Sequence, residues 1–311
     1  MSRVMRTIRI GTRGSKLALW QAAYVRQSLE KSNPDIRFEQ VIIKTEGDID
    51  QKSSLTRIGG QGVFTKEIEK ALVNNEVDMA VHSLKDLPSK MPEGLVLGAV
   101  PERGPVEDIL ITQNGLSLDQ LPESTRIATG SIRRKSQLLN MRPDLLITDL
   151  RGNIDTRIRK LKEEGIDGII MARAAVIRLN LKSIKYAVFS TEEMIPAVGQ
   201  GAIGIQIRHD DTQVLDIVKT INQDQAYYAV LAERSLLSTL DSGCQFPVGA
   251  YAQVFNNTLR INGFVASEDG RNRLYDTVEC QRDDAEHAGN LLARKLLEKG
   301  AKSLLDEFNR T

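Results

Sequence analysis

The sequence predicts an α/β protein with a small α+β domain at its C-terminal end, and three observations predict it. Between Thr7 and Ile207, short β-rich runs alternate with helical periodicity, the pattern of a parallel sheet flanked by helices. Pro101, Gly104 and Pro105 punctuate that alternation and divide it into two lobes. From about Asn222 a helix is followed by three alternating runs that fit an antiparallel sheet.

In the first lobe, strands are expected at Thr7–Ile10, Val41–Lys44, Asp78–Val81 and Leu95–Val100. A helix over Leu17–Glu30 follows from Leu17, Trp20, Ala23, Tyr24 and Leu29, which recur close to the helical period, and Ile68, Leu72 and Val73 give a second over Phe64–Asn74. The second lobe has strands at Ile109–Thr112, Arg126–Thr129, Leu145–Leu150 and Gly168–Met171, with helices at Ile132–Asn140, Asp155–Glu163 and Ala174–Leu179. Ile195-Pro-Ala-Val-Gly-Gln-Gly-Ala then precedes a strand at Ile203–Ile207, where the chain is expected to return to the first sheet. The last part reads as helix Tyr227–Thr239, a loop holding Cys244, strands Gly249–Phe255, Leu259–Val265 and Leu274–Gln281, and a covering helix Asp284–Leu297. The domains expected are therefore 1–101 with 202–221 returning, 102–201, and 222–311. The glycine-containing stretch Glu46–Gly62 has no strong periodicity and reads equally as a mobile lid or an ordinary surface loop.

Composition narrows the function. At 311 residues with 41% hydrophobic content, the chain buries a sizeable core. Its 42 Lys+Arg nearly cancel its 41 Asp+Glu, so no global field draws it to nucleic acid or to an anionic membrane, and 5% aromatic content argues further against a nucleic-acid partner. The N-terminal residues run into a strand without an apolar leader, and no apolar stretch reaches spanning length, so a cytoplasmic protein is expected. Cys244 and Cys280, with no CxxC, and three scattered histidines suggest neither a disulfide framework nor a zinc site; no metal is expected.

The chemistry-bearing pattern is the recurrence of cations and hydroxyls where a strand gives way to a helix. Arg13 and Ser15 follow the first strand; Ser131, Arg133 and Arg134 follow Arg126–Thr129; Arg151 and Gly152 follow Leu145–Leu150. Such junctions line the crevice at the carboxyl ends of an open sheet, where helix N–H groups already favour anions. Guanidinium groups add bidentate recognition of carboxylate or phosphate. For any one arginine a solvated or acid-paired position is the plainer reading, and it is the threefold recurrence that points to a polyanion. Lys85 and Asp86 sit beyond another strand, where a carboxylate among cations can stabilise positive charge or move a proton; spacing alone favours a solvated turn before Pro88. His82 reads as a structural histidine at a strand end. Cys244 lies in a loop with Gly243, Pro247 and Gly249, where a thiolate can attack an electrophilic carbon, although a lone cysteine is ordinarily a small apolar residue, as Cys280 appears in its alternating strand.

These segments, in this order, resemble the porphobilinogen deaminase (hydroxymethylbilane synthase) family. The stretches that carry the resemblance are Ile8-Arg-Ile-Gly-Thr-Arg-Gly-Ser-Lys-Leu-Ala-Leu-Trp-Gln, Gly60-Gln-Gly-Val-Phe-Thr-Lys-Glu-Ile-Glu, His82-Ser-Leu-Lys-Asp-Leu-Pro, Arg133-Arg, Arg151-Gly-Asn-Ile-Asp-Thr-Arg, Pro196-Ala-Val-Gly-Gln-Gly and Gly243-Cys-Gln-Phe-Pro-Val-Gly. The resemblance implies two periplasmic-binding-protein-like α/β lobes around a cleft, plus a small α+β C-terminal domain with a three-stranded antiparallel sheet. It implies that Cys244 carries a dipyrromethane cofactor through a thioether, that four porphobilinogens add head to tail with loss of ammonia, and that hydrolysis releases hydroxymethylbilane. Loss of ammonia gives an azafulvene electrophile, and Asp86 is similar to the family's catalytic carboxylate that steadies the positive pyrrole; the resemblance thus overrides the plain-turn reading of Asp86.

The acetate and propionate groups of the growing chain fall, on the same resemblance, to Arg13, Ser15, Ser83, Lys85, Thr129, Ser131, Arg133, Arg134, Arg151, Arg157, Arg178 and Gln200. A monomer without nucleic-acid or membrane partners is expected. Four positions depart from the family pattern: Ser242 for a glycine, Gly130 for a serine, Ala175 for a glycine, and Arg173 for a small residue, the last adding a cation near the cleft or facing solvent. The competing reading is a two-lobed sensor of a small dicarboxylate, which needs the arginines but not a modified cysteine.

Overall fold

The computed structural model describes residues 6–45, 47, 62–240 and 246–310. Cys244 and Ser242 lie outside the described residues, and so does nearly all of the Glu46–Gly62 stretch. The elements are, in chain order, β1 (Arg6–Thr12), α1 (Lys16–Ser32), β2 (Ile36–Ile42), α2 (Lys66–Val73), β3 (Met79–Ser83) and β4 (Leu95–Ala99). There follow β5 (Asp108–Thr112), β6 (Arg126–Ala128), α3 (Ile132–Met141), β7 (Leu146–Thr148), α4 (Ile154–Glu163), β8 (Gly168–Ala172), α5 (Arg173–Arg178) and β9 (Tyr186–Val188). The chain continues with β10 (Ile203–Arg208), α6 (Thr212–Lys219), α7 (Asp224–Thr239), β11 (Val248–Phe255), β12 (Thr258–Ala266), β13 (Arg273–Gln281), α8 (Ala285–Glu298) and α9 (Ala301–Arg310).

Two compact units result, one of residues 1–103 with 202–227 and one of residues 104–201 with 228–311. The first holds a five-stranded sheet in the order β2-β1-β3-β10-β4, with β1 parallel to β2 and β3, and β10 antiparallel to β3 and β4. The second holds a sheet of the same plan, β7-β6-β8-β5-β9, with β6 parallel to β7 and β8, and β5 antiparallel to β8 and β9. In each, two crossovers build three parallel strands and a strand from another part of the chain runs against them. That strand is the returning β10 in one sheet and the entering β5 in the other.

Helix α1 shows how the first core forms. The Ser15 hydroxyl caps it by accepting from the Ala18 amide at 3.3 Å, satisfying one of the orphan donors of the first turn. Its buried face is Ala18, Gln21, Ala22, Val25 and Leu29, set against Ile8, Ile10, Phe38 and Met79. Of the expected face, Leu29 is buried and Tyr24 packs partly buried against this core, whereas Leu17, Trp20 and Ala23 lie off the buried stripe. Trp20 is 37% exposed and stacks on Tyr24 with centroids 5.5 Å apart, while Ala22, Val25 and Leu29 face the sheet. In α2, likewise, Ile68 and Leu72 are buried while Val73 faces outward. Strand β2 starts earlier than expected because its polar residues, Arg37, Glu39 and Gln40, belong to an edge strand and mask the alternation.

The second unit also contains the antiparallel sheet β11-β12-β13. Its core joins Leu236, Ala250, Leu259, Ile261 and Val265 to Ala288, Leu292 and Leu296 of α8 and to Leu305 of α9. Gly300, at φ +102°, ends the run into α8 and lets α9 begin, which is why the terminal helix is two helices. This sheet is fastened to the lobe beside it at several points. The Ala250 amide donates to Pro196 O at 3.2 Å, the Asn140 side-chain amide donates to Gly270 O at 2.8 Å, and Lys135 pairs with Glu268 at 2.6 Å. Gly270 has φ +72°, and a Cβ there would run into the Ser136 carbonyl on α3. Gly270→Ala is accordingly expected to lower the stability of this unit by about 2 kcal/mol, measured as a lower urea midpoint with an unchanged slope.

Candidate active site

In the first unit, the site is built where β3 ends. The chain leaves Ser83 into a single 3-10 turn, Leu84–Asp86. Leu84 and Leu87 are buried on either side of it and anchor it from below, while Asp86 is exposed. The anchor depends on Gly204 of β10, since a Cβ at that position would come 2.5 Å from a Leu84 methyl. The Leu84 amide donates to Ala202 O at 3.1 Å, which ties the turn to the returning strand.

A cavity of about 70 Å³ opens beside this turn, with Arg13, Ser15, Gln21, Phe64, Ser83 and Asp86 in its wall. The Arg13 guanidinium lies over the Phe64 ring, 4.0 Å from the centroid, a cation–π contact that holds the charge in place. Ser83 Oγ and the buried Gln21 amide are hydrogen-bonded at 2.9 Å, so that hydroxyl is fixed in position. Guanidinium and hydroxyl donors stand in the same small wall as a carboxylate. Such a wall binds an acidic ligand through the first and meets a developing positive charge with the second. Lys85, half-buried, shares the turn with Asp86. The structure thus gathers five sequence-expected residues, Arg13, Ser15, Ser83, Lys85 and Asp86, at this one place.

In the second unit, the expected cations are held differently. Arg133 and Arg134 leave the first turn of α3 and are both buried, facing the wholly buried Asp108 at the start of β5. Arg133 Nη2 reaches Asp108 Oδ2 at 2.7 Å; Arg134 Nη2 and Nε reach Oδ1 at 2.8 and 3.0 Å. Gln200 is buried too and donates to Asp108 Oδ1 at 2.9 Å and to Val106 O at 2.7 Å. Two guanidiniums against one carboxylate leave this triad one charge positive. Arg133 Nε, moreover, is buried with no hydrogen-bond partner among the described residues. The surplus lies at the N-terminus of α3, where Thr129 Oγ1 accepts from the Ser131 amide at 3.2 Å and the Ser131 hydroxyl does not cap the helix. Gly130 between them is packed from outside: a Cβ would come 2.6 Å from Leu150 O, so the missing side chain makes room for the neighbouring loop.

The other arginines are distributed. Arg151 pairs with Asp149 at 3.2 Å, and Arg157 Nε donates to Gly152 O at 2.8 Å, which places both at the start of α4. Arg178 Nη2 donates to Gly201 O at 2.6 Å. Arg173 pairs with Glu107 at 3.0 Å. Asp108, Gln21 and Phe64 escaped sequence reasoning. A charged residue opening the apolar run Ile109-Leu-Ile reads as a strand boundary, and nothing local marks it as the counter-ion of residues twenty-five positions on.

Burial pushes the Asp108 carboxyl up, but the charges of Arg133 and Arg134 and the hydrogen bonds from Gln200 and Arg133 outweigh it and hold the group at about 2. Its folded value lies below the unfolded one of about 3.9, so its stabilisation is complete above the unfolded value and is lost as pH falls through about 2. Asp108→Asn is expected to cost about 3–5 kcal/mol near neutral pH, because it strands two buried guanidiniums. The difference from the native chain should shrink only below about pH 4; urea titrations of both chains across that range measure it.

Comparison with known proteins adds the following. The family model described as porphobilinogen deaminase, dipyromethane cofactor binding domain, matches residues 8–216, and that described as porphobilinogen deaminase, C-terminal domain, matches residues 227–298. A porphobilinogen deaminase of Syntrophomonas wolfei is 46% identical over 97% of this chain and 99% of its own length. One of Chlorobium phaeovibrioides is 45% identical over 97% and 98%. Among solved structures, the probable amino-acid ABC transporter extracellular-binding protein ytmK of Bacillus subtilis is 14% identical with a TM-score of 0.44, covering 75% of this chain and 97% of that one. The periplasmic VFT2 domain of Bordetella pertussis BvgS is 13% identical with a TM-score of 0.43, covering 74% and 92%.

Proposed function

Because the chain belongs to the porphobilinogen deaminase family, we propose which of its residues carry each part of that family's reaction. The reaction condenses four porphobilinogens head to tail with release of ammonia and ends in hydrolytic release of hydroxymethylbilane, in tetrapyrrole and haem biosynthesis. A dipyrromethane cofactor supplies, when bound, the pyrrole terminus that each new unit joins. The described residues fit such a group: the surplus positive charge of the Arg133–Arg134–Asp108 triad and the unpartnered Arg133 Nε suit a ligand that brings carboxylates.

In this reading Cys244, on the domain spanning 222–311, holds the cofactor through a thioether. Arg13, with Ser15, Ser83 and Lys85, takes carboxylates in the domain of 1–101 and 202–221. Thr129, Ser131, Arg151, Arg157 and Arg178 do so in the domain of 102–201. Arg133, Arg134 and Gln200 serve mainly to fix Asp108, and through it the start of α3, while the net charge of the cluster faces the ligand's acids. Asp86 is the catalytic carboxylate: it steadies the positive charge on a pyrrole nitrogen as ammonia leaves and helps move the proton lost from the joined ring. The observation that carries this is the cavity wall shared by Asp86, Arg13 and Ser83, a carboxylate for the reacting ring beside donors for its acidic arms.

We read the protein further as a cytoplasmic monomer without nucleic-acid partners. A cysteine that must be alkylated suits a reducing compartment, and no described helix is long and apolar enough to cross a membrane. A net charge of +1 gives no general attraction for nucleic acid. The large exposed apolar side chains, among them Trp20, Ile42, Phe255 and Tyr275, come from different elements.

Intact mass spectrometry of the purified protein is expected to show an excess equal to two pyrrole units, absent from Cys244→Ala together with porphobilinogen consumption. An unmodified protein that binds a dicarboxylate tightly would favour the sensor. Asp86→Asn is expected to keep the adduct while turnover falls on the order of 10²–10⁴-fold; near-native turnover in that variant removes Asp86 from its role.

A further inference from the structure

Beneath the cavity runs a hydrogen-bonded chain that the reaction above does not use. His82, Gln206, Glu69 and Thr65 are all buried, and both ends of the chain, His82 and Thr65, line the cavity. His82 Nε2 lies 3.1 Å from Gln206 Oε1, Gln206 Nε2 donates to Glu69 Oε1 at 3.1 Å, and the Thr65 hydroxyl donates to Glu69 Oε2 at 3.4 Å. A run of buried polar groups inside a sheet costs stability unless every member is satisfied, and apolar residues would fill the same space without that cost.

The direction of the chain follows from the Gln206 amide, which gives its NH₂ to Glu69 and turns its oxygen to His82. That oxygen only accepts in turn, so the His82 ring presents an Nε2–H to it. The ring is also held across the strands. Gly204 stands opposite His82 in the β3–β10 pairing, which sets Gln206 diagonally across on the same face. The next side chain of β3's continuation on that face is Leu84, seated in the gap left by Gly204, and the turn it anchors carries Asp86.

We propose that His82 is a positioning residue for Asp86: the Glu69–Gln206 relay locks its ring as the Nε2–H tautomer and thereby fixes the end of β3 from which the Asp86 turn springs. This rests on the reading of Asp86 as the catalytic carboxylate. The relay makes a claim of its own, however, since the tautomer is observable without turnover.

The test uses the full chain labelled with ¹⁵N-histidine and long-range ¹H–¹⁵N correlation spectra. With three histidines in the sequence, His82→Gln assigns the signal. Near neutral pH, the His82 ring is expected to show a protonated Nε2 and an unprotonated Nδ1. Gln206→Leu should release it to a mixture of tautomers and lower kcat about ten- to a hundredfold with KM little changed. Gln206→Glu, which still offers His82 an acceptor, should restore the tautomer and most of kcat. An Nδ1–H ring or an imidazolium in the native chain overturns the proposal, whether or not the leucine variant folds, and so does native kcat in a Gln206→Leu protein that has lost the tautomer. Native turnover in Asp86→Asn would instead overturn the catalytic reading, and the positioning claim with it, while the tautomer stayed as expected.

Discussion

Burying a carboxylate completely is among the more expensive acts available to a small protein, and Asp108 is buried completely. Its position is tolerable because two guanidiniums and an amide converge on it from two other parts of the chain. The consequence is architectural. The beginning of β5, the first turn of α3 and Gln200 are fixed relative to one another by these charged and amide hydrogen bonds. The Arg133 guanidinium reaches past Asp108 to Ile195 O at 2.7 Å, and Gln137 exchanges hydrogen bonds with the same residue, so the segment leading to Pro196 is secured as well. Pro196 O in turn receives the Ala250 amide, which extends the constraint into the C-terminal sheet.

The first unit holds its functional groups by another means. There the geometry comes from shape: Gly204 gives way, Leu84 fills the space, and the turn bearing Lys85 and Asp86 is left on the outside. A packed apolar anchor carries no charge of its own; Arg13 and Asp86 stand in the cavity wall above it. One plan of sheet thus carries two kinds of polar cluster, a positively biased one on a buried ion triad and a mixed-charge one on an apolar anchor.

How much of this was legible depended on range. Periodicity found nearly every strand and helix, because it reports which face is buried within a single element. The return of the chain at Ile203–Ile207 into the first sheet was legible from the proline and glycines before it. Three elements were not. Strand β9 has three residues, too few to establish alternation; α6 is short; and α9 was hidden by reading through Gly300. The face of α1 was read only in part: Leu29 was found, but large aromatic rings outweigh small residues in any pattern, and Ala22 and Val25 were missed. In the site, the cations after each strand were visible as a recurrence. Their differing fates were not, since whether an arginine meets a ligand or a buried aspartate depends on a residue far away in sequence. For the assignment of Asp86 and Cys244, resemblance to a family supplied what spacing did not.

The strand order of the first sheet bears on how the protein comes into being. β10 lies between β3 and β4, and β4 has β10 as its one neighbour in the described sheet. A nascent chain that has emerged only as far as Gly201 therefore possesses every other strand of that sheet but not the one that joins them. Until the ribosome has delivered Ile203–Arg208, β3 offers a bare edge and β4 has nothing to bind. The whole stretch from Gly104 to Gly201, with a sheet of its own, is made while the older sheet waits incomplete. Synthesis order and completion order are thus inverted for the two lobes, and during the interval between them the young polypeptide carries an unpaired strand edge.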